Sequence, residues 1–130
     1  MFIRRLAEAQ AFVTKDGSSI RPILDLSCAP VSRQSLAEAA LDPGRSTTRH
    51  RHPGTEEFYF LTQGRAWMEV DGEVRLLAEG DACLIPAGAT HQLHNPGPGP
   101  VRLLCCCAPP YSDQDTELLP DGPVVDRKNL

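Results

Sequence analysis

The sequence predicts an all-β fold, a sandwich or barrel of two antiparallel sheets with little helix. Short apolar and β-branched runs recur along the chain, and turns rich in glycine and proline separate them; the 130 residues include 10 Gly and 12 Pro. Asp71-Gly72 lies between two alternating runs, which indicates a hairpin because a type I′ turn needs positive φ. These observations favour many short strands over long helices.

The length of 130 residues predicts one domain, 1–130, with a single sizeable core. Within it we expect an N-terminal arm of strand and turn over 1–34. The barrel core is predicted over 35–107. A C-terminal tail over 108–130 follows, because the acidic, proline-bearing segment from Pro109 onward is typical of chain that leaves a barrel. That tail is expected to be loosely ordered or to lie across the barrel mouth or a dimer seam.

Composition excludes several classes of partner. The net charge of −4 argues against nucleic acid and anionic membranes. No apolar run approaches the roughly 20 residues needed to span a bilayer, and the start of the chain, Met1–Leu6, lacks the apolar region of a secretory signal. Five cysteines are an odd number in a chain expected to stay unexported. Reduced thiols and a cytoplasmic location are therefore predicted.

Three histidines and a glutamate occur at spacings that indicate a metal site. In an extended strand, residues i and i+2 point to the same face, so His50 and His52 project together and the flanking arginines project the other way. Guanidinium groups do not enter a small β core without partners, so we expect the arginine face to be wet and both imidazoles to face inward. Glu57 and His91 could converge on the same point if the two segments lie on neighbouring strands. Imidazoles with one carboxylate suit borderline divalent metals.

Two spaced motifs contain these residues. The first is Gly44-(five residues)-His50-(one)-His52-(four)-Glu57-(six)-Gly64, and the second is Gly80-(five)-Pro86-(one)-Gly88-(two)-His91-(three)-Asn95. They resemble the two motifs of the cupin superfamily. The first matches in its longer form, which places Glu57 rather than Glu56 in the ligand position, and the second matches at every fixed place. The 15 residues between Gly64 and Gly80 are similar to the shortest spacing in small microbial cupins.

By this resemblance the chain is identified as a small single-domain cupin with a double-stranded β-helix, or jelly-roll, barrel. The resemblance implies that His50, His52, Glu57 and His91 hold one divalent transition metal, with Fe or Mn favoured and Zn, Ni, Co or Cu as alternatives. It also implies a homodimer, which is common among small cupins. The alternative is a barrel that kept its fold and lost its metal.

The N-terminal segments are the least regular. Lys15–Ser19 is a turn by composition, and a short apolar segment, Ile20–Leu24, follows it. This segment resembles the N-terminal strand of small cupins, which packs on the barrel or on a partner subunit; the alternative is an ordinary edge strand. Ser35–Leu41 has the residues of a helix. It is only about two helical turns long, however, and it precedes the histidine strand, where the cupin pattern has a strand. We predict a strand there, with tertiary context overriding propensity.

Strand parity assigns the candidates for the pocket wall. If Glu57 faces the metal, Tyr59 and Leu61 share its face, whereas Phe58 and Phe60 lie on the other face. In the closing strand 101–107, an exposed Arg102 places Cys105 and Cys107 inside. There they either tune a redox metal or serve as small buried hydrophobes. The pocket candidates are Tyr59, Leu61, Met68, Leu93, Cys105 and Cys107, whose partly apolar character suits a small organic ligand or substrate.

Two residues of the second motif are expected outside the ligand set. His94 has the opposite strand parity to His91, which predicts a surface position or a contact behind the ligands. Asn95 is expected to be structural and to bond the backbone of the following turn.

Four protein ligands on a metal that prefers five or six leave room for water, substrate or dioxygen. This predicts a metal-dependent small-molecule enzyme, with dioxygenase-type oxidation favoured over isomerase or decarboxylase chemistry. A second hypothesis is a non-catalytic cupin that binds or senses a small ligand, because no general acid or base beyond the ligands can be assigned from the sequence. An inert zinc site is the third, and it is disfavoured because structural zinc sites prefer cysteine-rich ligand sets.

Overall fold

Eleven strands form two antiparallel sheets in the computed structural model, which describes residues 1–125. The strands are β1 (Phe12–Val13), β2 (Ser19–Leu24), β3 (Ser35–Leu41), β4 (His50–Arg51), β5 (Glu56–Gln63), β6 (Ala66–Val70), β7 (Glu73–Leu77), β8 (Ala82–Ile85), β9 (His91–His94), β10 (Val101–Ala108) and β11 (Glu117–Leu118). The helical segments of the described part are two 3₁₀ turns, Leu6–Glu8 and Asp113–Asp115. Among residues 1–125, no helix has the length and apolar character needed to cross a membrane. The all-β prediction is confirmed.

The strand orders bring distant parts of the chain together. The first sheet runs β1-β2-β3-β10-β5-β8 and the second runs β11-β4-β9-β6-β7. Apolar side chains from both sheets meet between them: Leu61 and Leu103 from the first sheet, and Met68 and Leu93 from the second, are at most 3% exposed. Burial alternates residue by residue along β5, because successive side chains of a strand point to opposite faces.

The strand prediction for Ser35–Leu41 is confirmed, since these residues form β3. β3 pairs with β2 on one side and with β10 on the other, and its inward-facing Ala39 and Leu41 are buried. Ladder hydrogen bonds on both edges and burial of one face outweigh the helix preference of its alanines and leucines.

The predicted turns are also confirmed. Asp71 and Gly72 join β6 to β7 with φ values of 48° and 87°, as a primed hairpin turn requires. Asn95 closes the loop before β10: its Nδ2 donates to the carbonyl oxygens of Leu41 and Gly99, each at 2.9 Å. Its side chain is therefore structural.

The described part of the C-terminal segment returns to the barrel, so the expectation of a loosely ordered tail is wrong for these residues, whereas the alternative of a segment that lies against the barrel is left standing. β11 pairs with β4 at the edge of the second sheet, and Val124 is fully buried. Gln92 holds the end of this segment through bonds to Asp121 and to the Gly122 amide. The backbone passes so close to Glu69 that a Cβ on Gly122 would lie 2.7 Å from Glu69 Oε1. Residues 126–130 of the predicted tail lie outside the described residues.

Candidate metal centre

Three imidazoles converge where β4 and β9 lie side by side. His50 pairs directly with His91 across the two strands, and His52 follows two residues after His50. One ring nitrogen of each residue lies within 4.8 Å of those of the other two, and all three side chains are buried. The two motifs therefore lie on neighbouring strands, β4 and β9, and this pairing brings their histidines together, as the sequence analysis required.

Glu57 reaches the same point from β5 in the opposite sheet. Its Oε1 atom lies 3.4 Å from Nε2 of His52 and 3.4 Å from Nε2 of His91. The other carboxylate oxygen, Oε2, accepts a hydrogen bond from the Cys107 thiol at 3.3 Å. The structure thus places Glu57 Oε1 beside His52 and His91, whereas the mutually close group consists of the three histidines.

Hydrogen bonds behind the rings set the tautomer of each histidine. In every case the Nδ1 atom lies near a backbone carbonyl, which can only accept. The contacts are His50 Nδ1 to Thr48 O at 2.7 Å, His52 Nδ1 to Asp115 O at 3.2 Å and His91 Nδ1 to Ala89 O at 3.1 Å. Each Nδ1 therefore carries the hydrogen, and each Nε2 presents its lone pair to the shared point, the arrangement typical of metal-ligating histidines.

Two atoms at this point are buried without a hydrogen-bond partner among the described residues, Glu57 Oε1 and His91 Nε2. Buried acceptors without a donor are costly and rare in folded proteins. A cation between them would satisfy both atoms at once. The donor set of three imidazoles and one carboxylate thus fits a divalent transition metal.

The charge states of the ligands also suit a cation. Burial, and then the charge on His91, lower the pKa of His50 to about 4. Burial would raise the pKa of Glu57, but bonds and charge from His52 and His91 lower it to about 2. His50 is therefore neutral and Glu57 ionised at neutral pH, which are the forms that bind metals.

The pKa of His52 is shifted in the opposite direction from that of His50, and this shift leads to a testable pH dependence of metal binding. Burial opposes its protonation, but Glu57 and then Asp115 outweigh burial and raise its pKa above 6.5. Protons therefore compete with a metal at His52 below that raised pKa, and we expect the metal association constant to fall about tenfold per pH unit there. Titration of Co(II) against a chromophoric chelator of known proton affinity checks this. An affinity that stays constant down to about pH 5.5 would contradict it.

The pocket candidates separate into two groups. Tyr59, Leu93, Cys105 and Cys107 line a cavity beside the histidines, together with His50, His52 and Glu57. Leu61 and Met68 lie in the apolar core instead, and among residues 1–125 they are not part of the cavity wall. This is a correction for those two residues. Strand parity predicts the face on which a side chain lies, but it does not predict the depth along the barrel.

The strand-parity argument is correct for His94 but wrong for Arg49. His94 lies outside the three-histidine group and bonds Ser46 through Nδ1 at 2.6 Å, as the prediction required. Arg51 is exposed, but only 24% of the Arg49 side chain is exposed, because it is ion-paired with the fully buried Glu69. The expectation of a wet arginine face is therefore wrong for Arg49. The C-terminal segment covers that face.

Several residues of the cavity were missed in the sequence. Thr14, Asp16 and Ser18 come from the turn between β1 and β2, and Tyr111 comes from the segment after β10. The Tyr111 ring lies edge-on to His52, with 5.8 Å between ring centroids. A turn rich in Lys, Asp, Gly and Ser carries no local signal that separates a pocket residue from an exposed one.

A family model for the cupin domain matches residues 37–107, which include both motifs. The chain is a cupin. Its likeness to the uncharacterized protein MJ1618 of Methanocaldococcus jannaschii is 42% identity over 108 residues, 83% of this chain and 86% of that protein. The two-motif identification from the sequence is confirmed.

Two further proteins are similar to this cupin. Tetracenomycin polyketide synthase protein TcmJ of Streptomyces glaucescens is 30% identical over 95 residues, which cover 73% of this cupin but only 64% of TcmJ. The solved structure of the polyketide cyclase RemF of Streptomyces resistomycificus superposes with a TM-score of 0.73 at 21% identity, covering 88% of this cupin and 89% of RemF. The second likeness shows the fold alone.

Proposed function

We propose that this cupin is a metal-dependent enzyme that uses dioxygen to oxidise a small, neutral, partly apolar organic substrate. The metal would be bound by His50, His52, Glu57 and His91. One observation carries the proposal: among residues 1–125, His91 Nε2 and Glu57 Oε1 are buried without a hydrogen-bond partner beside a largely apolar cavity. Bound Fe or Mn would supply redox chemistry and open coordination positions there. The residues around the metal centre orient its ligands, exclude water and form the wall of the cavity that would bind the substrate.

The cavity wall supports a neutral substrate. Within residues 1–125 no lysine or arginine lines it, whereas three carboxylates, those of Asp16, Asp25 and Glu57, do. A small dianion would find no cationic side chain in this wall and would lie close to carboxylates, at a high desolvation cost. A hydroxyl or ketone oxygen on an apolar framework suits the wall of Tyr59 and Leu93 better. The likeness to TcmJ, named as a polyketide synthase protein, points to the same class of compound.

Dioxygen uptake tests the proposal. Protein loaded anaerobically with Fe(II) or Mn(II) is mixed with phenols, catechols and 1,3-diketones, and with oxalate as the dianionic comparison. We expect one dioxygen consumed per product for a neutral compound, with labelled oxygen atoms recovered in that product, and no uptake with oxalate. A ligand that binds tightly and is recovered unchanged would overturn oxidation in favour of the non-catalytic binding cupin. Product formation without dioxygen uptake would also contradict it and indicate isomerase or decarboxylase chemistry.

We also propose that the protein is a homodimer that pairs through the outer face of its first sheet. Leu36, Cys106, Phe58 and Leu84 lie directly opposite one another across β3, β10, β5 and β8. Phe58 and Leu84 are 50% and 55% exposed. A two-fold interface must be complementary to itself, and an apolar row meets that condition because no like charges are brought together.

Phe58→Asp is therefore expected to convert the dimer to a monomer, because a carboxylate would be buried against its own symmetry copy. Light scattering at micromolar concentration measures the mass. Leu76→Asp is the matched control, since Leu76 is an exposed leucine on β7 of the other sheet and is expected to leave the dimer intact. A wild-type protein of monomer mass would contradict the proposal.

The cysteines support a reducing, cytoplasmic location. All five are free thiols, and one of them, Cys107, bonds the Glu57 carboxylate. Cys105, Cys106 and Cys107 follow one another along β10, where neighbouring side chains point to opposite faces. Oxidation of Cys107 would remove its bond to Glu57, so the reduced form suits the proposed site.

A further inference from the structure

We propose that Asp16, on the turn between β1 and β2, is an additional carboxylate ligand of the metal centre. The inference rests on the proposed function, because it concerns the same centre. Asp16 Oδ2 lies 3.7 Å from Nε2 of His50, the ring atom that faces the other histidines. The Asp16 side chain is 14% exposed and lines the cavity.

The turn holds this carboxylate in a defined orientation. Its Oδ1 atom accepts three hydrogen bonds, from Thr14 Oγ1 at 2.8 Å, from the Ser18 amide at 2.9 Å and from Ser18 Oγ at 2.6 Å. These donors leave Oδ2 free to face His50. The Thr48 amide donates to the Asp16 carbonyl at 2.7 Å, which ties the turn to the strand that carries His50. Hydrogen bonds within the turn thus fix the Asp16 carboxylate, and a backbone hydrogen bond to Thr48 fixes the turn beside His50.

The distance itself favours a shared cation over a direct bond. At 3.7 Å, Asp16 Oδ2 and His50 Nε2 are too far apart for a hydrogen bond. Donor atoms that bind one ion at ordinary metal–ligand distances lie about 3 to 4 Å apart. The 3.7 Å spacing falls in this range, as do the 3.4 Å spacings from Glu57 to His52 and His91.

Charge balance supports a second carboxylate. Glu57 approaches from the side of His52 and His91, whereas Asp16 approaches from the side of His50. Two carboxylates would neutralise a divalent cation inside a largely apolar cavity, where an uncompensated charge is costly. Among the residues that the structure describes, no lysine or arginine of the cavity wall competes for the Asp16 carboxylate.

Asp25 provides a matched control. It also lines the cavity, and its Oδ1 accepts from the Ser27 amide at 2.8 Å and from Ser27 Oγ at 2.5 Å, the same local pattern that Asp16 makes with Ser18. Its carboxylate also accepts from the Cys28 thiol. Asp16 and Asp25 therefore share their turn chemistry, but only Asp16 is in contact with a ligand histidine.

The test measures the dissociation constant of Co(II) in wild-type protein, Asp16→Asn and Asp25→Asn by competition with a chromophoric chelator. We expect Asp16→Asn to weaken binding about 10- to 100-fold and to change the visible Co(II) spectrum at saturation, with Asp25→Asn within about twofold of wild type. Asparagine keeps the Oδ1 acceptor, so the metal-free variants should unfold at similar temperatures. Asp16→Ser, which also lacks the carboxylate, must reproduce the loss.

Unchanged affinity and spectrum in Asp16→Asn would overturn the inference, and so would an equal loss in Asp25→Asn, which would indicate a general effect of cavity charge. The measurement needs no substrate, so it is separate from the test of oxidation. If wild-type protein binds Co(II) through Asp16 but turns nothing over, the proposed oxidation fails and the ligand assignment stands. If wild-type protein consumes dioxygen and Asp16→Asn keeps full affinity, only the ligand assignment fails.

Discussion

Replacing His91 with alanine is expected to reduce the metal content from about one equivalent per chain to less than about a tenth. His91 is 1% exposed, and its Nε2 atom is one of the two buried acceptors that have no partner among the described residues. Removing the ring deletes one ligand and leaves Glu57 Oε1 without an imidazole beside it on that side. Dioxygen uptake should disappear with the metal. Elemental analysis of reconstituted, folded protein measures the loss.

The matched control is His94→Ala in the same strand. His94 is also buried, at 5% exposed, but it bonds Ser46 and lies outside the three-histidine group. We expect this variant to keep its metal, even if it loses some stability. Equal metal loss in both variants would mean that disruption of β9, and not loss of a ligand, explains the result. Full metal content in His91→Ala would contradict the site.

Replacing Arg49 with methionine is expected to lower the free energy of unfolding by about 3 to 5 kcal/mol. Arg49 Nε contacts Glu69 Oε1 at 2.5 Å, and Glu69 is 0% exposed. Methionine fills part of the space of the arginine stem but leaves the buried carboxylate without its cation. The remaining donors, Thr90 Oγ1 at 3.5 Å and the Gly72 amide at 3.0 Å, do not carry a full charge.

Arg51→Met is the control, because Arg51 forms the same kind of ion pair two residues away. Its partner Glu117 is 49% exposed and Arg51 itself is 44% exposed, so solvent screens the pair and its loss should lower the free energy by about 1 kcal/mol or less. Urea unfolding of metal-free protein compares the two variants. Equal destabilisation would show that burial of the Arg49 pair is not what stabilises this face.

The residues whose roles follow from local geometry could be predicted from the sequence. Alternation along β5 places Glu57 and Tyr59 inside and Phe58 outside, because the two-residue period is a property of any strand. The Asp71-Gly72 turn is local in the same sense, since its positive φ values favour those residue types. The fold class followed from many such short-range signals taken together, and the family followed from the resemblance of the two motifs to those of the cupins.

Other features depended on contacts between distant segments, and the sequence did not indicate them. Parity placed Leu61 on the inner face but could not show that it lies in the core, as Met68 does, rather than along the cavity. Arg49 lost its expected exposure because the segment after β10 crosses above it, with Gly122 close against its side chain. Contacts of this kind join positions that are far apart in the chain, and the spacing of residues in the sequence does not indicate which distant segments come into contact.

The sequence by itself determined the cupin barrel and the three imidazoles and one carboxylate that could bind a metal. Strand alternation predicted the all-β fold, and the spacing of the two motifs predicted the family and the ligands. Only the tertiary structure decided what surrounds that set. The turn between β1 and β2 brings Asp16 to His50, and the segment after β10 brings Asp115 and Tyr111 to His52. These approaches depend on how the two ends of the chain pack on the barrel, and packing is a property of the whole fold and not of any one stretch.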